Sequence, residues 1–315
     1  MKSLKILLGI TLLFIAGMLH AQGTVVTGSI DSAALGVTKN YVVYLPNGYA
    51  DSEKHYPVIY VLHGWGVTER IWTSSALDIQ GIADTLNLQA IIVMPDSDCN
   101  VYINALGGPD YEECLNAEPP YPNNNEDRSE YCVRTPNYED YFLKEVISHI
   151  DSTYRTIPVR EARALSGESG GGLSAMQLAL RHPELVSSVA SHSGILELLY
   201  DFEKQERMTS VDEHPGMSGF GPMLGGDITR WSQFEPWTLL DGLNNGVLSI
   251  YLDCGTEDPF YIYARRFQEK LAEKNIAHSY EWMEGGEHND PQFKVGMKQG
   301  LQFHLEHFQR QGVYP

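Results

Sequence analysis

At 315 residues, 43% hydrophobic and 20% charged, the chain has enough apolar material for one large α/β domain. A formal net charge of −19 sets it against nucleic acid and anionic membrane, both of which are polyanionic. The four cysteines, Cys99, Cys114, Cys132 and Cys254, include no C-x-x-C pair, which argues against zinc and thioredoxin-type chemistry.

The first residues have the layout of a secretory signal peptide. Lys2 and Lys5 give a basic start, Leu7 to Leu19 an apolar run, and Ala21 a small residue before Gln22. The run is short for a membrane span. Residues 1–21 are therefore expected to be removed, leaving 22–315 as one domain that is secreted or periplasmic and makes no membrane contact. Export permits disulfides. Cys114 and Cys132 lie in one polar stretch rich in Pro and Asn, and are expected to pair. Cys254 lies in an apolar strand and reads as a small buried hydrophobe.

In chain order, Thr24 to Ile30 and Tyr41 to Leu45 read as strands. Val58 to Leu62 is a β-branched run fit for a strand buried on both faces. It ends in His63-Gly64-Trp65-Gly66. A helix is expected around Leu77 to Asn87, then a strand from Ala90 to Met94 stopped by Pro95. From Asp96 to Asn137 no period is visible, and the stretch reads as a long loop. Its opening, Asp96-x-Asp98-x-Asn100, is similar to the start of a calcium loop, but the central Gly and closing Glu of an EF-hand are missing. Tyr138 to Tyr154 is an amphipathic helix with Tyr141, Phe142, Val146, Ile147 and Ile150 near one face. Leu185 to Ser191 and Val247 to Asp253 read as strands. Between them, about Leu196 to Asp241 is Gly-rich and carries Trp231 and Trp237, as a cap over the sheet would. Tyr261 to Lys274 is a helix, His278 to Met283 a strand, and Gln292 to Gln309 a closing helix. Strands alternating with helices imply a mostly parallel sheet with helices on both faces. In such sheets the chemistry lies beyond the C-terminal ends of the strands.

One stretch organises the rest. Ala162 to Leu165 reads as the end of a buried strand and Leu173 to Leu180 as a helix, with Gly167-Glu168-Ser169-Gly170-Gly171 between them. A G-x-S-x-G at a strand-to-helix turn is the setting of a nucleophile elbow, in which the serine stands free beside helix N–H groups. Serine needs a base to take its proton, and the base needs an orienting carboxylate. Among the histidines after Ser169, His288 lies in a Gly-rich loop directly after a strand. His182 ends a helix, His278 starts a strand, and His304 and His307 sit on the last helix and read as surface residues. His192 follows a strand but leaves no room for an acid before it. Asp258 follows the preceding strand and can reach back to His288, with Asp253 and Glu257 as further candidates. An ordinary helix-capping role for Asp258 ahead of Pro259 competes with that assignment. For an oxyanion, the backbones of Gly170 and Trp65 are the donors this layout offers. Trp65, Tyr102 and Trp231, with Trp72 and Trp237 behind them, are candidates for substrate contacts, although packing in core or cap accounts for such aromatics equally well.

Several stretches together carry a family resemblance: Val61-Leu62-His63-Gly64, Val93-Met94-Pro95-Asp96, Tyr102-Ile103-Asn104, Tyr138-Glu139-Asp140-Tyr141, Asp151 to Thr156, the elbow, Asp253 to Asp258, and Gly285-Gly286-Glu287-His288. They resemble the α/β-hydrolase esterase family, which includes feruloyl esterases, acetylxylan esterases, S-formylglutathione hydrolases and mycolyltransferases. The resemblance implies an α/β-hydrolase fold, with Ser169 as nucleophile, Asp258 as acid and His288 as base, and no cofactor or metal. It implies an ester substrate, small or linked to polysaccharide. Feruloyl and acetyl esters of plant cell walls are the expected exported class. Acyl transfer, peptide hydrolysis and a non-catalytic binding role on the same scaffold are the competing readings. Three departures bear on substrate class. Gly170 stands where Met or Gln is frequent in the family, Glu287 separates Gly286 from His288, and Ala105 to Asn137 has no evident counterpart.

Overall fold

The computed structural model describes residues 22–108, 110–116, 127–211 and 220–314. The expected signal segment, 1–21, lies outside the described residues. β1 (Thr24–Ser32) and β2 (Val37–Leu45) pair as an antiparallel hairpin. β3 (Val58–Leu62), β4 (Ile91–Pro95), β5 (Arg163–Glu168) and β6 (Ser188–His192) follow. A two-stranded ribbon of β7 (Tyr200–Asp201) and β8 (Glu206–Arg207) belongs to the cap. β9 (Ser249–Gly255) and β10 (His278–Met283) complete the main sheet, whose order is β1-β2-β4-β3-β5-β6-β9-β10. Among the described residues of this sheet, the β1/β2 and β2/β4 pairs are antiparallel and the other neighbours run parallel.

Strand periodicity sorts the core into two layers. On one face, Val58, Tyr60 and Leu62 of β3 pack with the helix over 138–153 and with helix Gly170–Arg181. On the other, Ile59 and Val61 pack with helices Ile79–Thr85 and Asp290–Gln311. We call these helices α1 (Ile79–Thr85), α2 (138–153), α3 (Gly170–Arg181), α4 (Tyr261–Glu273) and α5 (Asp290–Gln311). The expected apolar stripe of α2 is buried, and its middle turn, Tyr141–Val146, widens to π-helical bonding.

The stretch expected to be one long loop is partly helical. Tyr111–Asn116 and Arg128–Tyr131 are short helices, joined by a Cys114–Cys132 disulfide with Cα atoms 5.7 Å apart. A cross-link explains how helices this short persist without an apolar stripe of their own. Cys254 is fully buried. The Asp96-x-Asp98 segment is no cation loop. Lys39 from β2 lies between the two carboxylates, 2.7 Å from Asp98 and in direct contact with Asp96, so a side-chain ammonium occupies that place. Tyr138 donates its hydroxyl to Asp98. Burial pulls the Lys39 pKa down, but the two carboxylates outweigh it and hold the amine above its ordinary value.

His304 and His307 are not on the surface of α5. His304 is wholly buried with Nδ1 2.5 Å from Ser188 Oγ, and His307 Nε2 lies 2.9 Å from Ser187 Oγ. Burial holds His304 well below the ordinary imidazole value and His307 down to about 4. The unfolded chain takes up protons below about 6.5, whereas folded His307 resists them until about 4. Stability from this source is full above about 6.5 and falls as pH drops toward about 4. His307→Gln is expected to flatten that acid limb. Thermal melts of both proteins at several pH values across the window check it, and parallel curves would refute the assignment.

Candidate active site

Ser169 sits on the β5–α3 turn at φ 53 and ψ −119, strain that costs about 1–3 kcal/mol. The turn is pressed against β3. A β-carbon on Gly171 would lie 2.1 Å from the Leu62 carbonyl oxygen, so glycine is needed there for close approach. The Ser169 N–H donates to the His192 carbonyl at 2.8 Å, which ties the turn to the end of β6.

Two loops bring the partners to it. After β9, Thr256 N–H donates to Met283 O at 3.0 Å and Glu257 N–H to Gly286 O at 2.9 Å. The loops after β9 and β10 are thus stitched together, with Gly255 and Gly286 in close contact. This sets Asp258 Oδ2 2.8 Å from His288 Nδ1, and His288 Nε2 2.9 Å from Ser169 Oγ. Asp258 also caps the chain locally, since its Oδ1 accepts the Phe260 N–H at 2.7 Å. The competing capping and orienting roles are divided between its two oxygens. The edges and faces of Phe260 and Phe293 meet the His288 ring at centroid distances of 4.8 and 4.9 Å, which narrows its freedom to rotate.

His192 and Asp253 are paired with each other instead. Asp253 Oδ2 is 2.5 Å from His192 Nδ1, and His192 Nε2 is 2.9 Å from Ser166 Oγ. This second Ser–His–Asp chain is buried beneath α5. Helix α5 can lie over it because Gly296 and Gly300 leave room: β-carbons there would come within 2.6 Å of Asp253 and 2.5 Å of His192. None of its three residues is more than 2% exposed.

The backbone of Trp65 comes close to the elbow, its nitrogen 3.3 Å from where a β-carbon on Gly170 would stand. Glu168, which the residue pattern alone did not single out, fixes that approach. Its buried Oε1 accepts the Gly64 N–H at 2.8 Å, fastening the loop after β3 to the residue just before Ser169. Burial raises the Glu168 pKa, against the lowering effects of the Gly64 bond and the nearby imidazoles. Its place in the motif, a carboxylate next to Ser169, was the one signal the sequence offered for it. His63 anchors the same loop from behind, its Nε2 accepting the Ser97 N–H at 3.0 Å.

The aromatic candidates divide. Trp65 is partly exposed and packs on Phe220 of the cap at 5.6 Å. Tyr102 and Trp231 are packing residues. Tyr102 is fully buried, with its hydroxyl on the Pro95 carbonyl and its ring on Phe142. Trp231 is 2% exposed within the cap core, and Trp72 is buried beneath the sheet. Trp237 lies beside Arg266 and Lys270. Burial leaves Tyr102, Trp231 and Trp72 no side-chain surface for a ligand.

A family model described as "Putative esterase" matches residues 32–304. The chain belongs to that family. An esterase of Mycobacterium tuberculosis is 27% identical to it over 272 residues, which cover 81% of this chain and 54% of that protein. The chain spans about half the length of the curated relatives it matches. Two solved structures share its α/β-hydrolase fold. A ferulic acid esterase is 21% identical with a TM-score of 0.67, covering 91% of this chain and 99% of that one. An S-formylglutathione hydrolase from Agrobacterium tumefaciens is 18% identical with a TM-score of 0.68, covering 91% and 96%.

For this member of the esterase family, the Glu168–Gly64 bond makes a specific expectation. Glu168→Gln keeps an acceptor and should retain most turnover of p-nitrophenyl acetate. Glu168→Ala frees the loop and should lower kcat on the order of 10- to 100-fold with KM little changed, somewhat less than loss of an oxyanion donor itself. Equal kinetics for the two variants would refute the role.

Proposed function

We propose that the protein is an exported serine carboxylester hydrolase. The observation that carries this reading is the unbroken chain from Ser169 Oγ through His288 to Asp258, with bonds of 2.9 and 2.8 Å at the C-terminal edge of the sheet. Ser169 Oγ attacks the ester carbonyl while His288 Nε2 takes its proton. Asp258 keeps the proton-bearing Nδ1 oriented and stabilises the imidazolium. The oxyanion accepts from the backbone N–H groups of Trp65 and Gly170, the latter at the first helical position, where no acceptor within the helix is available. Collapse breaks the ester C–O bond, and the alcohol leaves with the proton from His288. Water then attacks the acyl-enzyme by the same route, releasing the acid and restoring Ser169. None of these steps calls for a cofactor or a metal.

Feruloyl or acetyl esters carried on plant cell-wall polysaccharide are the substrates we favour. The similar ferulic acid esterase, the expected export and the partly exposed Trp65 ring beside Phe220 support them. Export also argues against a cytosolic glutathione thioester. A panel of p-nitrophenyl esters, methyl ferulate and acetylated xylan tests the reading. Acid released from none of them would refute it, and acyl groups appearing on an added alcohol or amine in place of free acid would assign acyl transfer.

Ser169→Ala should fold normally and lose on the order of 10⁴-fold or more in kcat. The two aspartates should separate by type of loss. Asp258→Asn is expected to lower kcat by about 10³- to 10⁴-fold with a small change in Tm. Asp253→Asn is expected to lower Tm and leave the kcat of the folded fraction close to that of the unaltered protein. Kinetics beside thermal melts check the pair, and the reverse pattern would exchange their roles.

A further inference from the structure

β10 is the last strand of the sheet, and among the described residues only β9 pairs with it. Its alternate residues His278, Tyr280 and Trp282 share one face. Their rings touch in series. His278 and Tyr280 stack at 5.9 Å with planes 28° apart, and Tyr280 and Trp282 meet at 5.1 Å and 39°. Tyr261, at the start of α4, closes the row edge-on to Trp282 at 5.4 Å. Tyr280 is 50% exposed, one of the few large apolar side chains so open among the described residues. His278, Trp282 and Tyr261 are half-buried beside it, so the row presents one exposed ring flanked by partly accessible ones, the kind of aromatic surface that serves binding.

We propose that this row is a binding strip for the neutral glycan that carries the ester, a site separate from the one that holds the reacting carbonyl. The proposal rests on the polysaccharide-linked substrate proposed above. Three observations select the occupant. A pyranose ring is apolar on its C–H faces and polar round its rim. It therefore stacks on aromatic rings while its hydroxyls bond groups beside them, here the Tyr280 hydroxyl and the open backbone edge of β10. The charge is wrong for a polyanion, because the chain carries −19 overall and exposes Glu281, Glu284 and Glu287 on the strand and the loop after it. Finally, the strip leads to the site. β10 runs parallel to β9, so its C-terminal end lies at the catalytic edge, and His288 is only five residues beyond Met283. Tyr261 is the chain neighbour of Phe260, whose ring packs on His288. Successive same-face side chains on a strand are spaced by about 6.6 Å, so the row from His278 to Trp282 covers about 13 Å, the reach of two to three sugar rings.

Binding is measured apart from turnover with Ser169→Ala protein, by affinity electrophoresis in gels containing arabinoxylan or polygalacturonate. Retardation by arabinoxylan and not by the polyuronide is expected. Adding Tyr280→Ala should weaken the retardation at least about fivefold. In the active protein, Tyr280→Ala should leave kcat/KM for methyl ferulate unchanged and lower it severalfold for feruloylated arabinoxylan. The strip is refuted if arabinoxylan gives no retardation, or if Tyr280→Ala and Tyr261→Ala leave it unaltered. It is refuted equally if Tyr280→Ala changes the oligomeric state measured by light scattering and leaves glycan binding intact, which would make β10 a contact between copies of the chain. Failure of the esterase reading shows separately, as release of acid by the unaltered protein from none of the p-nitrophenyl esters, methyl ferulate and acetylated xylan.

Discussion

The tight turn at Ser169 is the constraint on which the rest of the structure depends. Its positive φ is tolerable only because the surroundings over-determine it. Gly171 lets α3 start against the Leu62 carbonyl, and the His192 carbonyl receives the Ser169 N–H from the other side. The turn is thus pinned between β3 and β6, the two strands that flank β5. Moving either strand moves Ser169, so the packing of the whole sheet is expressed at one side chain. The continuous apolar runs of β3 and β4, buried on both faces, keep that packing stiff.

Two serine–histidine–aspartate chains occur within the same few strands, and their difference is instructive. Ser169, His288 and Asp258 come from loops, with His288 partly exposed. Ser166, His192 and Asp253 come from strands and are sealed beneath α5. Residue type and bonding are alike; access to solvent is what separates them. The sealed chain belongs to a wider polar layer with Ser188–His304 and Ser187–His307. Buried groups of this kind must be mutually satisfied to be tolerated, and here they fix how α5 lies on the sheet.

Behind the loop after β3 lies a third buried polar group. Lys39 bridges Asp96 and Asp98, Tyr138 donates to Asp98, and His63 stands 3.3 Å from Asp96. The cluster links β2, β4, α2 and the loop that carries Trp65. With Glu168 holding Gly64 from the front and His63 bonded behind, that loop is gripped from both sides. For the oxyanion donor proposed at Trp65, a backbone N–H is useful only if it need not reorganise, and a loop gripped from both sides meets that condition.

Much of this was legible in the chain. The order of strands and helices followed from periodicity, because burial on one or two faces leaves a repeat in the sequence. That Ser169, Asp258 and His288 come together was legible because glycine-rich loops directly after strands lie at one edge of a parallel sheet. The Cys114–Cys132 pair was legible from the expected export and from the poor packing capacity of its surroundings. What the chain concealed were matters of depth and contact between distant elements. Tyr102 and Trp231 looked available and are buried, since an aromatic residue carries no mark of which side of a layer it will face. His304 and His307 looked exposed on a polar helix, yet their partners Ser188 and Ser187 lie more than a hundred positions away. Asp96 and Asp98 suggested a cation, and Lys39 of another strand is that cation. Local pattern determined the elements and the loops that carry the reactive groups. Only the packed sheet decided which polar groups are sealed and which reach solvent, because that depends on what comes to lie on top of them.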